Sequence, residues 1–196
     1  AALEKLTNLT NMNLELGKNN IENKGMQFVG AALEKLTNLK NTTEESWSDI
    51  DVELKRRYDL IPNLVETVKG YAKHERETLE RVVELRNAAM GNNGSAESQG
   101  RDESKLGVAM KTLFAVAEGY PELKSDANFR VLQEELAITE DRVAAARRFF
   151  NGNVREMRDL REAFPTNVVG AMMGIKEPTF FEIEDENERS VPRVNV

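Results

Sequence analysis

The chain has 196 residues, with 27 Lys or Arg against 34 Asp or Glu, a formal net charge of −7 and no cysteine. At 40% hydrophobic and 31% charged, with 12 Gly and 5 Pro, it is too apolar for a disordered chain and too polar for a membrane bundle, and it leaves room for long helices. The missing cysteines exclude a disulfide framework, a thiol nucleophile and Cys-ligated metal, the single His excludes a two-His metal site, and the acidic balance argues against nucleic acid as a partner.

No window approaches the roughly 18 consecutive apolar residues of a transmembrane helix, and residues 1–20 lack the basic and apolar regions of a signal peptide. The chain instead opens on AALEKLTNL, which returns at residues 31–39. Stacked repeats need about three copies to bury a core, so the match reads as a local tandem duplication or an engineered extension. Residues 1–40 are taken as an N-terminal extension and 41–196 as the domain. In the extension Leu3, Leu6, Leu14, Ile21, Phe28, Leu36 and Leu39 approximate a helical period, weakened by Gly17, Gly25 and Gly30.

From about Asn41 to Met90 an apolar stripe runs through Ile50, Leu54, Tyr58, Ile61, Leu64, Val68 and Tyr71, then Leu79, Val82 and Leu85. Asn41, Thr42 and Thr43 are candidate caps for its start, and Pro62 predicts a kink or break near residues 59–61. Residues 91–101, GNNGSAESQGR, read as a mobile loop. A second helix is expected from Asp102 or Ser104 to Glu118, and a third from an Asp126 cap to just before Pro165. After a short apolar piece at 168–175, Phe180, Phe181 and Ile183 are candidate anchors of a strand or strap. The fold class is all-α: an elongated antiparallel up-down bundle of about four long helices with an extended C-terminal strap.

The densest polar cluster surrounds WSDIDVELKRRYDL, where Asp51 and Lys55, Glu53 and Arg57, and Lys55 and Asp59 are each four apart. The spacing predicts a solvated or inter-helix ion-pair network. Asp49 and Glu53, with the tail acids Glu182, Glu184, Asp185 and Glu186, are the candidate ligands for weak divalent-cation or iron-mineral binding, although one helix face supplies few oxygens. Glu140 is expected to pair with Arg142, Arg147 or Arg148 along its own helix. His74 beside Glu75 offers a hydrolase base, but no local spacing brings a nucleophile to it, and it reads as structural or exposed. No catalytic set and no cofactor site emerges.

One stretch is distinctive. Trp47-Ser48-Asp49-Ile50-Asp51-Val52 followed by Leu54-Lys55-Arg56-Arg57-Tyr58-Asp59-Leu60-Ile61-Pro62-Asn63-Leu64-Val65 resembles the LemA family. The resemblance continues through Gly70-Tyr71-Ala72, Ala117-Glu118-Gly119-Tyr120-Pro121-Glu122-Leu123-Lys124, Ala146-Arg147-Arg148-Phe149-Phe150-Asn151 and Phe164-Pro165-Thr166-Asn167 to Val191-Pro192-Arg193-Val194. It implies a bacterial long-helix bundle with no established enzymatic activity, tethered by a single N-terminal membrane helix, and the chain is accordingly expected to be a non-enzymatic scaffold for unidentified protein partners. In one branch, MamQ, it implies a role in magnetosome membranes. Here the duplicated segment stands where that membrane helix is expected, so this chain reads as the soluble part. Phe150-Asn151 and Met157-Arg158 stand where the family usually carries Tyr-Asn pairs. Trp47, Asp49, Asp51, Arg56, Arg57 and Asn63 are the candidate interaction residues.

Overall fold

The computed structural model describes residues 2–172 and 174–183. Among these it contains six helices, α1 (Ala2–Tyr71), α2 (Arg76–Met90), α3 (Ala96–Glu118), α4 (Pro121–Ser125), α5 (Ala127–Glu162) and α6 (Thr166–Met172), and no strand. The all-helical class therefore holds. The described residues divide into two compact units, one of 2–42 with 155–177 and the other of 43–154 with 178–183.

The first unit has a small core. Ala32, Leu36 and Leu39, spaced four and three apart on α1, are buried with Met157 and Leu160 of α5 and Val169 of α6, and Ile175 packs on them. Full burial of a side chain such as Leu36 contributes roughly 1.5–3 kcal/mol. The second copy of AALEKLTNL thus supplies the α1 side of this core. Thr166 donates its hydroxyl to the Leu160 and Ala163 carbonyls, tying α6 to the end of α5.

The second unit is larger, with one core drawn from α1 to α5 and the irregular segment 178–183. The predicted stripe is its α1 and α2 contribution: Ile50, Leu54, Tyr58, Ile61, Leu64, Val68, Leu79, Val82 and Leu85 are buried, whereas Tyr71, at the end of α1, is exposed. α3 adds Leu106, Met110 and Leu113, and α5 adds Phe129, Leu136, Val143, Phe150 and Val154.

Three boundaries differ from the sequence expectation. The helix expected to begin at residues 41–43 is instead the continuation of α1, and Thr42 bonds back to the Asn38 carbonyl rather than capping a terminus. Residues 96–101 are helical, because the Ser95 hydroxyl accepts the Ser98 N–H as an N-cap and starts α3 six or more residues early. Asn92 fastens the preceding turn, donating to Ser98 and Asp102 and accepting from the Gly94 N–H.

The third difference is the break expected at Pro62, since α1 runs through it to Tyr71 and the block divides at residues 72–75 instead. An interior proline costs about 3 kcal/mol and removes the N–H that would reach the carbonyl of residue 58. That carbonyl is satisfied from another helix, by Arg86 Nε at 3.0 Å. Ile61, Leu64, Val65 and Val68 are all buried around the proline, and at roughly 1.5–3 kcal/mol each their burial outweighs its cost. Arg86→Met is accordingly expected to cost about 1–3 kcal/mol, and less in a Pro62→Ala background, where the restored N–H takes the carbonyl. Urea denaturation of the four variants checks this, and equal costs in both backgrounds would contradict it.

The Asp126 cap is as expected. Its Oδ1 accepts the Phe129 N–H at 2.9 Å and its Oδ2 accepts the Tyr71 hydroxyl at 2.9 Å, linking the start of α5 to the end of α1. The Phe129 amide first, and then the Tyr71 hydroxyl, hold the Asp126 carboxyl below the usual carboxylate range. A depressed carboxylate contributes stability that is present above its unfolded pKa, near 3.9, and is lost as pH falls through the lower folded value. The stability gap between the native chain and Asp126→Asn should therefore shrink as pH is lowered below about 4. Denaturation midpoints across pH 2–7 test this, and a gap independent of pH would contradict it.

Candidate functional site

The polar residues that converge lie inside the second unit. Arg57 and Glu103 have side chains only 4% and 0% exposed and meet at 2.9 Å through Nη1 and Oε2. The other carboxylate oxygen, Oε1, accepts the Tyr58 hydroxyl and, at 3.0 Å, Gln99 Nε2. Gln99 Nε2 also lies 3.0 Å from the Tyr58 oxygen and from the Ala89 carbonyl, so its two protons serve three acceptors and draw the end of α2 into the cluster. Glu140 Oε1 of α5 sits 2.9 Å from Arg57 Nε but off the N–H line, an ion pair without an aligned hydrogen bond.

These contacts follow from register. Arg57 and Tyr58 occupy one turn of the buried α1 stripe between Leu54 and Ile61, while Gln99 and Glu103 continue the α3 stripe of Leu106, Met110 and Leu113 backward by three and four residues. Burial pushes the Glu103 carboxyl above the usual carboxylate range, opposed by Arg57, Tyr58 and Gln99. Burial, and then the charge of Glu103, push Tyr58 far above the ordinary phenol value, so its hydroxyl stays protonated as a donor. With no exposure and its oxygens engaged by three donors, Glu103 is out of reach of a solute. The cluster holds helices together, and Glu140 is its solvent-facing carboxylate, with a side chain 48% exposed.

Further ion pairs link α1 to α5: Arg56 to Glu135 at 2.9 Å and Glu53 to Arg142 at 3.7 Å. The partners of this polar stretch are therefore across helices. Glu140 pairs with Arg57 of α1, which corrects the expected pairing along its own helix, because the Arg57 side chain is held facing α5.

Of the candidate interaction residues, Asp49, Asp51 and Asn63 are exposed, Arg56 is half-buried, Arg57 is buried, and Trp47 is partly buried against Phe150 and Phe181. Of the candidate metal ligands, Asp49 and Glu53 lie one turn apart on α1, Glu182 is exposed, and Glu184, Asp185 and Glu186 fall outside the described residues. Among the described residues no group of three acidic or His side chains is arranged to hold a metal ion. His74 is exposed, and its neighbour Glu75 accepts the Tyr120 hydroxyl at 3.3 Å. Sequence reasoning missed Gln99 and Glu103. Their signal was the α3 stripe, which a loop assignment over 91–101 cut short.

Fold and site together define an all-helical domain whose convergent polar side chains are spent on joining helices. The chain belongs to the LemA family, whose family model matches residues 46–196. Proteins of that family are generally membrane-associated, and it is not a known enzyme family. No curated protein matches the chain. Among the described residues no helix is long and apolar enough to cross a membrane.

Tyr58→Phe keeps the packing but removes one donor from Glu103, and is expected to cost about 1–3 kcal/mol. Tyr71→Phe, at an exposed bond, should cost less. Chemical denaturation of both variants decides, and equal losses would contradict an energetic role for the buried cluster.

Proposed function

We propose that this chain is the helical part of a membrane-tethered, non-enzymatic scaffold whose outer helical face receives protein partners. The reading takes its helices as an antiparallel up-down bundle with 178–183 laid over it as a strap. One observation carries it. Val131, Ile138 and Phe149 are 58%, 38% and 57% exposed, and their spacings of 7 and 11 residues set them on one side of α5. The buried Arg57, Tyr58, Gln99 and Glu103 are meanwhile engaged with one another. Exposed apolar side chains on one side of α5, with Arg142 among them, and a polar cluster inside suit binding better than catalysis. Exposed Asp49, Asp51 and Asn63 add polar contacts, whereas Trp47 and Arg57 serve packing. In the magnetosome-associated branch such a surface would serve organelle membrane formation.

The test is crosslinking in native membranes with the native chain and with Ile138→Glu and Phe149→Glu. The native chain should capture a defined partner, and both variants should lose it while keeping their helical circular dichroism. No partner for the native chain, or full capture by both variants, would overturn the reading.

The alternative, weak divalent-cation or iron-mineral binding, has one observation in its favour: Glu53 Oε2 is buried without a hydrogen-bond partner. Arg142 on its other oxygen opposes it. Calorimetry with Fe²⁺, Mn²⁺ and Ca²⁺ should show heat that Glu53→Gln removes, and no heat at millimolar metal rejects it.

A further inference from the structure

Phe181 is fully buried although residues 178–183 have no regular secondary structure. Three separate features of the second unit receive this segment. The Phe181 ring meets Trp47 edge-on with centroids 5.6 Å apart, and Trp47 in turn lies 5.2 Å from Phe150. The Asn151 side chain takes both backbone groups of Phe181, donating Nδ2–H to its carbonyl at 3.0 Å and accepting its N–H on Oδ1 at 2.9 Å. Gly100 leaves space for the next residue, since a Cβ there would collide with the Glu182 backbone carbonyl. An aromatic pocket selects the side chain, an amide pair holds the main chain whatever its side chains, and a glycine admits close approach. Together they form a groove that recognises a short Phe-centred segment.

We propose that this groove also accepts its segment in trans, the occupant being residues 178–183 of a second copy of this chain, exchanged for its own. The segment seated in the groove shows that the two are complementary, and every copy carries one of each. Reciprocal exchange conserves each contact and costs only the entropy of association, which makes it a route to a symmetric pair. Phe150 and Asn151 follow Phe149 of the α5 stripe but face the other way, Phe150 buried and Asn151 bonded to Phe181, and Ile138→Glu, more than three turns away, tests the proposed function without touching the groove.

The test uses the full chain in light and isotopically heavy forms, each carrying the photocrosslinker p-benzoylphenylalanine in place of the exposed Glu182. Light and heavy copies are mixed at rising concentration, illuminated and digested. Crosslinks from position 182 to the α3 peptide around Gly100 should include heavy–light pairs that increase with concentration and disappear with Asn151→Ala. Only heavy–heavy and light–light pairs at every concentration would overturn the exchange.

A second measurement vacates the groove with Phe181→Ala and adds a fluorescent peptide of sequence PTFFEI. The variant should bind it, and loss of the two amide bonds in Phe181→Ala with Asn151→Ala should weaken binding by about ten-fold or more. A variant that keeps its helices and binds no peptide at millimolar concentration would overturn the groove itself. Equal binding of a peptide with the same Phe but scrambled flanks would make it a general aromatic-peptide site and overturn the choice of a second copy. Should Phe181→Ala fail to fold, the crosslinking result alone decides.

Discussion

The second unit turns on one buried ion pair, Arg57 of α1 with Glu103 of α3. Removing two charges from water costs several kcal/mol per ion, and their attraction offsets this only with good geometry and further hydrogen bonds. Tyr58 and Gln99 supply those bonds to the carboxylate, and Glu140 supplies a second countercharge to the guanidinium. Slipping α3 by one residue would rotate Glu103 away by about 100° and bring Asp102 or Ser104, shorter side chains, to its place opposite Arg57. The pair therefore fixes the register of α3 on α1, a selection that apolar packing makes only weakly.

Its neighbours depend on the same turn of α1. Tyr58 donates its hydroxyl to Glu103 while its carbonyl, released by Pro62, receives Arg86 of α2. A proline that local rules read as a helix breaker thus provides an acceptor through which a second helix is attached. Gln99 reaches the Ala89 carbonyl near the end of α2, so α2, α3 and α5 are all joined to α1 by polar contacts around two consecutive α1 residues. Trp47, ten residues earlier, begins the aromatic contact that seats Phe181.

Much of this was legible in the sequence because apolar periodicity is a strong signal over long helices. The stripe from Ile50 to Val68 and the Asp126 cap each express a local rule, and each is found in place. What was not legible had non-local causes. Whether Pro62 breaks α1 depends on Arg86, 24 residues away in sequence. Whether Glu103 is surface or core depends on Arg57 arriving from another helix, and its polarity masked a position that spacing alone assigns to the stripe. Arg57 itself was singled out with its neighbours as an interaction residue, since charge density does not reveal which member of a run turns inward. The AALEKLTNL duplication was visible at once, yet the packing of its second copy onto α5 and α6 was not, because those partners lie more than a hundred residues away.

A double-mutant cycle in urea on Arg57→Met and Glu103→Leu tests the central dependence most directly. Each single change strands a buried charge and should cost about 3–5 kcal/mol, whereas the double change, with no charge left to strand, should cost less than either. Single losses below about 1 kcal/mol that simply add in the double variant would show that the pair is a bystander to packing.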